Sequence, residues 1–201
     1  MEHICHWSLD LELPINYNKT HLMNIVTKKN LIVANLKKPD GTPLDNITKT
    51  KLLGVILSDN MKWDLHMDYI LPRASKSVFL ITTLKSLNVS ALTLWQVYFA
   101  ITRSILTYGY PAMCNMTHKL FARLERVERR VIRIIGSNPP VNIAEFCKNL
   151  CISLANSIKK RPHHPLHNIF MYRQSIGRLN SSCCAPFART TRYKNSLIKF
   201  A

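Results

Sequence analysis

A chain of 201 residues, 47% of them apolar, can build one domain or two small ones around a core, which excludes a disordered tail. Its formal charge of +17 exceeds what solubility requires and points to a polyanionic partner, nucleic acid ahead of a membrane surface. Residues 1–60 hold 7 Lys and Arg against 6 Asp and Glu, and residues 61–201 hold 21 against 5, so polyanion binding is expected in the last two thirds.

The opening Met1-Glu2-His3-Ile4 has no basic flank leading into an apolar run, so no secretory signal is expected. The apolar-leaning stretch from Val89 to Ile101, broken by Ser90, Thr93 and Gln96, falls short of the roughly 20 residues that span a bilayer. The expectation is an intracellular protein, nuclear or cytoplasmic, not secreted and without a membrane partner. Cys5, Cys114, Cys147, Cys151, Cys183 and Cys184 do not form a dense disulfide framework, and adjacent Cys183 and Cys184 bridge each other poorly, so reduced thiols are expected.

From Lys19 to Leu57 the sequence predicts short strands separated by turns. His21, Met23 and Ile25 alternate with Leu22, Asn24 and Val26, and Asn30 to Leu36 is a second apolar run. Pro39-Asp40-Gly41 supplies turn chemistry. Lys51 to Leu57 is continuous enough for a strand buried on both faces, with Gly54 as a bulge or a close backbone approach. After Trp63 the period becomes helical. Asp64 to Leu87 is a helix that Pro72 either starts or kinks. Ser90 is placed to cap a helix from Ala91 to about Tyr108, apolar nearly all round and therefore central to the core.

The strongest pattern runs from Thr117 to Ile135. At about 100° per residue, Leu120, Phe121, Leu124, Val127, Val131, Ile134 and Ile135 gather on one side of a helix, and Lys119, Arg123, Arg126, Arg130 and Arg133 on the other. Gly136 is a C-cap and Asn138-Pro139-Pro140 prevents continuation. A charge run is usually a solvated face, but here Glu125 and Glu128 alone offset the cations, and arginine's forked donors suit phosphate. A shorter helix, Ile143 to Lys160, then gives way to an irregular basic tail with Lys159, Lys160, Arg161, Arg173, Arg178, Arg189, Arg192, Lys194 and Lys199. There is no internal repeat.

Several anchors fall in a telling order. Trp7-Ser8, Leu13-Pro14-Ile15-Asn16 and Lys19-Thr20 are followed by Thr42-Pro43-Leu44, Lys51-Leu52-Leu53-Gly54-Val55, Trp63 and His66. Next come Ala74-Ser75-Lys76, Leu124-Glu125-Arg126-Val127, Arg129-Arg130, Arg133-Ile134-Ile135-Gly136, His164-Pro165-Leu166-His167 and Arg192-Tyr193-Lys194-Asn195-Ser196. No single motif is specific, but the ordered set, covering nearly the whole chain, resembles the C-terminal part of LINE-type (non-LTR) retrotransposon reverse transcriptases, the Jockey-like and chicken-repeat-like elements in particular. Pro72 stands where relatives tend to carry a basic residue, and Tyr108-Gly109-Tyr110-Pro111 replaces a more usual Tyr-Ala-Cys-Pro.

The resemblance implies an α+β fold: a small antiparallel strand remnant of a polymerase palm over 1–60, a thumb-like helical bundle over 61–136, and a basic, partly irregular region over 137–201. It makes Lys19 the vestigial counterpart of the lysine near the leaving pyrophosphate, and Leu53, Gly54 and Val55 a primer-grip-like element. The ordinary readings are a surface lysine on a strand and core strand packing. Polymerisation in the family needs closely placed aspartates holding two Mg2+ ions, and no two acidic residues here are adjacent, so no catalytic residue and no cofactor are expected in this piece. The expected partner is an RNA or DNA backbone, held by Lys119, Arg123, Arg126, Arg130, Arg133, Lys159, Lys160 and Arg161, with no small-molecule substrate. The alternative is a non-enzymatic module whose apolar helix docks a protein.

Cys147, Cys151, His163 and His167 have nearly the spacing of a two-Cys two-His zinc finger. The stretch lacks a hairpin at the cysteines, and Pro162 and Pro165 interrupt the helix that would present the histidines, so no metal site is expected.

Overall fold

The computed structural model describes residues 2–25 and 36–167, together with the backbone of two short paired strands, Tyr172–Arg173 and Ser182–Cys183. Chain contacts divide it into two compact units, Met1–His66 and Met67–Ala201.

The first unit opens with helix α1 (Glu2–Asp10). Glu12 takes a positive φ of 55°, which turns the chain back so that the Leu13 N–H reaches the Ser8 carbonyl at 2.9 Å while the Ser8 hydroxyl bonds the Leu13 carbonyl. Residues 21–25 form no strand, against the expectation from their alternation. Leu22 makes one parallel bridge with Asn46, donating to the Asp45 carbonyl at 2.9 Å and accepting from Ile47 at 2.8 Å. Most of the run 30–36 lies outside the described residues. The turn at Pro39-Asp40-Gly41 forms as its residues dictate: Gly41 sits at φ 83°, and the Asp40 carboxylate accepts from the Thr42 N–H and hydroxyl. Those bonds hold the Asp40 carboxyl below its ordinary range.

Lys51 to Leu57 is not one strand. It is a hairpin of β1 (Lys49–Leu52) and β2 (Val55–Ser58), antiparallel, with Leu52 opposite Val55. Leu53 (φ 47°) and Gly54 (φ 85°) make a two-residue turn with both φ positive, the backbone that matches strand twist. Gly54 is therefore a turn residue rather than a bulge, and Leu53 is 83% exposed instead of buried. His66 is buried, and its Nδ1 accepts the Ile56 N–H at 3.2 Å. Burial pushes the imidazole below its usual titration range.

The second unit is helical, and α2 (Asp64–Ser86) begins just ahead of the division. Pro72 does not start α2, which begins eight residues earlier at Asp64. It sits exposed inside it, where the missing N–H faces no buried acceptor. The predicted helix from Ala91 is composite: α3 (Ala91–Val97), a π-helical turn (Tyr98–Arg103) and α4 (Ser104–Thr107). Ser90 caps α3 as expected, accepting from the Thr93 N–H at 3.3 Å. After α5 (Tyr110–Met113) come α6 (His118–Ile135) and α7 (Ile143–Lys160). One core joins Val78 and Ile81 of α2, Leu94 and Trp95 of α3, Tyr98 of the π turn, and Val131 and Ile135 of α6. Trp95 packs edge-on against Tyr98 at 5.3 Å and anchors its Nε1–H on the Ser137 hydroxyl at 3.0 Å. The short strands β3 (Tyr172–Arg173) and β4 (Ser182–Cys183) pair antiparallel. The class is α+β and mainly helical. Among the described residues no helix is long and apolar enough to cross a membrane.

Candidate nucleic-acid interface

Helix α6 begins and ends where its residues require. Thr117 accepts from the Leu120 N–H, and Gly136, at φ 85°, donates its N–H to the Ile132 carbonyl at 2.8 Å. Leu120, Leu124, Val131 and Ile135 are buried, while Lys119, Arg126, Arg129, Arg130 and Arg133 are exposed. Amphipathicity thus places a row of cations outward.

Two residues of this helix depart from the sequence expectation. Glu128 does not offset the surface cations: it is 5% exposed and turned into the core. Its Oε1 accepts from Arg103 Nη2 at 2.7 Å and from the Tyr98 hydroxyl at 3.0 Å, and its Oε2 accepts the Ile143 N–H at the start of α7 at 2.8 Å. The helical wheel carried the signal, because Leu124 four residues before Glu128, Val131 three after and Ile135 seven after define an apolar arc with Glu128 inside it. Arg123, expected in the open row, is paired with Asp68 of α2 at 2.7 Å and half-buried. Its charge is already partly answered.

Arg103 is the inward residue that sequence reasoning missed. It lies inside the helix expected to be apolar nearly all round, a pattern that gave it no role. In a π turn, hydrogen bonding reaches from i to i+5, which stacks residue 103 over residue 98. The Arg103 guanidinium lies 5.1 Å from the Tyr98 ring, 4.5 Å from Phe99 and 5.3 Å from Phe146, and also donates to the Val141 carbonyl at 2.6 Å. This buried pair ties the π turn, α6 and the start of α7 together. The rings and three hydrogen-bond partners around Glu128 offset the cost of desolvating both charges. Burial, reinforced by Glu128, drives the Tyr98 hydroxyl well above its ordinary range, so it stays a donor.

With Glu128 withdrawn, the exposed surface of α6 carries Lys119, Arg126, Arg129, Arg130 and Arg133 beside the half-buried Glu125. Among the described residues, Arg126 and Arg130 have no carboxylate within salt-bridge distance. Between this face and α2 runs a groove of about 280 Å³, lined by Leu71, Ser75 and Val78 on one side and Arg123, Arg126, Val127 and Arg130 on the other.

The other sequence candidates are scattered. Lys159 and Lys160 occupy the last turn of α7 and Arg161 caps it, where cations also suit the helix dipole. Lys19 ends a single 3-10 turn (Tyr17–Lys19) rather than lying on a strand, and it is exposed. Leu53, Gly54 and Val55 form the tip of the first unit's hairpin. The tail cations Arg178, Arg189, Arg192, Lys194 and Lys199 lie outside the described residues, as does the side chain of Arg173. Cys147 and Cys151 are buried on α7; burial pushes the Cys147 thiol up to about 12, and a hydrogen bond with Cys114 plus burial push Cys151 higher. His163 is exposed, and His167 Nδ1 lies 3.0 Å from the Ile158 carbonyl. Among the described residues no three potential ligands converge on a point where a metal ion could be held.

Comparison with protein-family models, with curated proteins and with solved structures returned no match.

Proposed function

We propose that the protein binds RNA or DNA by the backbone, without reading sequence, through the outward face of α6, as the C-terminal palm-to-thumb part of a LINE-type reverse transcriptase and without polymerising by itself. The observation that carries the binding is the withdrawal of Glu128 into the core, which leaves Arg126, Arg130 and Arg133 on a solvent face with little opposing charge. The ordered motifs support the lineage, and the lack of adjacent acidic residues supports the absence of a two-metal site.

Binding of unrelated single- and double-stranded oligonucleotides should weaken steeply with salt. If Lys119, Arg126, Arg130 and Arg133 each meet a phosphate, the slope of log K against log salt is about −2.8 for single strands and about −3.6 for duplex. Affinity unchanged between low and high salt overturns the proposal. Primer extension with Mg2+ by the purified chain, contaminating polymerase excluded, overturns its last clause.

A second reading, a helical module that docks a protein partner, draws on Phe79, Leu87 and Leu92, which are exposed. The helix expected to dock that partner spends Leu94, Trp95, Tyr98 and Leu106 inside its own unit. Charge reversal at Arg126, Arg130 and Arg133 separates the two, since a protein-docking module loses nothing by it.

A further inference from the structure

The cationic face of α6 is not a plain convex surface. A helix that held only a phosphate backbone would need outward charges and nothing more, yet Arg126 and Arg130, together with Arg123, line a groove whose floor is in part apolar: Leu71 of α2 and Val127 of α6, with the buried Val78. Ser75 adds a hydroxyl that can donate and accept at the groove wall. Water gains little from such a floor, and a flat, weakly polar surface that covers it is stabilised by the apolar area removed from solvent. At about 280 Å³ the groove lies at the lower limit of ligand pockets, roughly 300 Å³, which suits one planar ring system.

The ligand that joins a flat ring face to an adjoining anion on each side is an unpaired nucleotide. In a duplex the base faces are stacked on their neighbours and cannot be offered to a groove, whereas bases in single strands can be splayed out onto side chains, arginine planes included. Arg126 and Arg130 are one turn apart, about 6 Å along the helix. They can therefore meet consecutive phosphates while a base between them turns inward.

We infer that this groove holds one unpaired nucleotide, its base laid on Leu71 and Val127 and its flanking phosphates on Arg126 and Arg130, so that the protein prefers single strands to duplexes. The inference rests on the proposal that α6 binds nucleic-acid backbones and adds the form of strand it selects.

The test uses the full chain and three probes of equal length: a single-stranded oligonucleotide, the same strand with abasic sites through its middle, and its duplex. The intact single strand should bind on the order of fivefold more tightly than the abasic one, the worth of covering one base face with apolar side chains. Ser75→Gln fills the groove from an exposed position without changing charge and without adding a ring on which a base could stack. It should erase that difference. Equal affinity of the unaltered protein for intact and abasic strands, with salt dependence retained, overturns the groove and leaves backbone binding standing. A preference that survives Ser75→Gln in folded protein also overturns it. Failure to bind any of the three probes overturns both proposals. The abasic comparison on unaltered protein decides the matter even where the variant does not fold.

Discussion

Arg103 and Arg126 are the same side chain in opposite circumstances. Arg103 is 5% exposed, clasped by Glu128 and enclosed by three aromatic rings, while Arg126 stands in solvent on α6. The comparison teaches that charge counted along a sequence says nothing of what a charge does. A cation that meets its carboxylate inside the protein specifies which helices pack together and presents no field to a ligand. One whose potential partner has been drawn inward is left to act on the outside. Glu128 serves the interior and so does not offset the cations of the α6 face.

The sharpest way to break this contrast is to remove the carboxylate. Glu128→Ala strands the Arg103 guanidinium in the core without its anion, and should cost about 3–5 kcal/mol in urea unfolding, the range for orphaning one member of a buried pair. Replacing Arg103 and Glu128 together by Met should recover much of that loss. If Glu128→Ala costs no more than a surface substitution, the buried knot contributes nothing to folding. By contrast, reversing Arg126 and Arg130 to Glu should leave the unfolding free energy within about 0.5 kcal/mol of the parent, as surface changes do. It should lower oligonucleotide affinity at least tenfold, and a large stability loss would show that these arginines also have structural work.

His66 provides a gentler test, in the first unit. Neutral imidazole accepts the Ile56 N–H, and its folded pKa is lowered by burial, so the unfolded chain takes up the proton first. The stability it contributes is whole above the unfolded value near 6.5 and declines as pH falls from there toward the folded pKa, by no more than about 1.4 kcal/mol per pH unit for one proton. Protection of the Ile56 amide, measured against its intrinsic exchange rate, should therefore fall as pH is lowered from about 6.5 to about 5.5. His66→Phe should remove that trend. The smallest effect belongs to Leu53, a branched side chain at φ 47° on an exposed turn tip. Leu53→Asn should stabilise the hairpin by about 0.5–1 kcal/mol, because asparagine tolerates that backbone and the leucine side chain is largely exposed. A loss would show that the exposed leucine is held by a contact of its own.

Much of α6 was legible in the sequence because caps, period and charge agree over a long stretch: Thr117, the apolar arc and Gly136 each point to the same helix. The groove was not, since it depends on which side of α2 faces α6, and periodicity within one helix carries no information on its neighbour. The inward turn of Arg103 was hidden for another reason. Its partner Tyr98 is five residues away, a separation that 100° per residue places off the same face and only an i to i+5 turn brings together. The hairpin was misread because Leu53 lacks the turn chemistry that usually marks such a site, and tertiary context overrides that local preference.

Glu128 is gripped by three donors, Arg103 and Tyr98 of the π turn and the first amide of α7. A helix pinned so near its midpoint can neither roll about its axis nor slide along it without breaking all three grips at once. Its arginines therefore form a fixed ruler, Arg126, Arg130 and Arg133 standing about 6 Å and then about 4.5 Å apart along the axis. Any strand that settles there must do the bending itself.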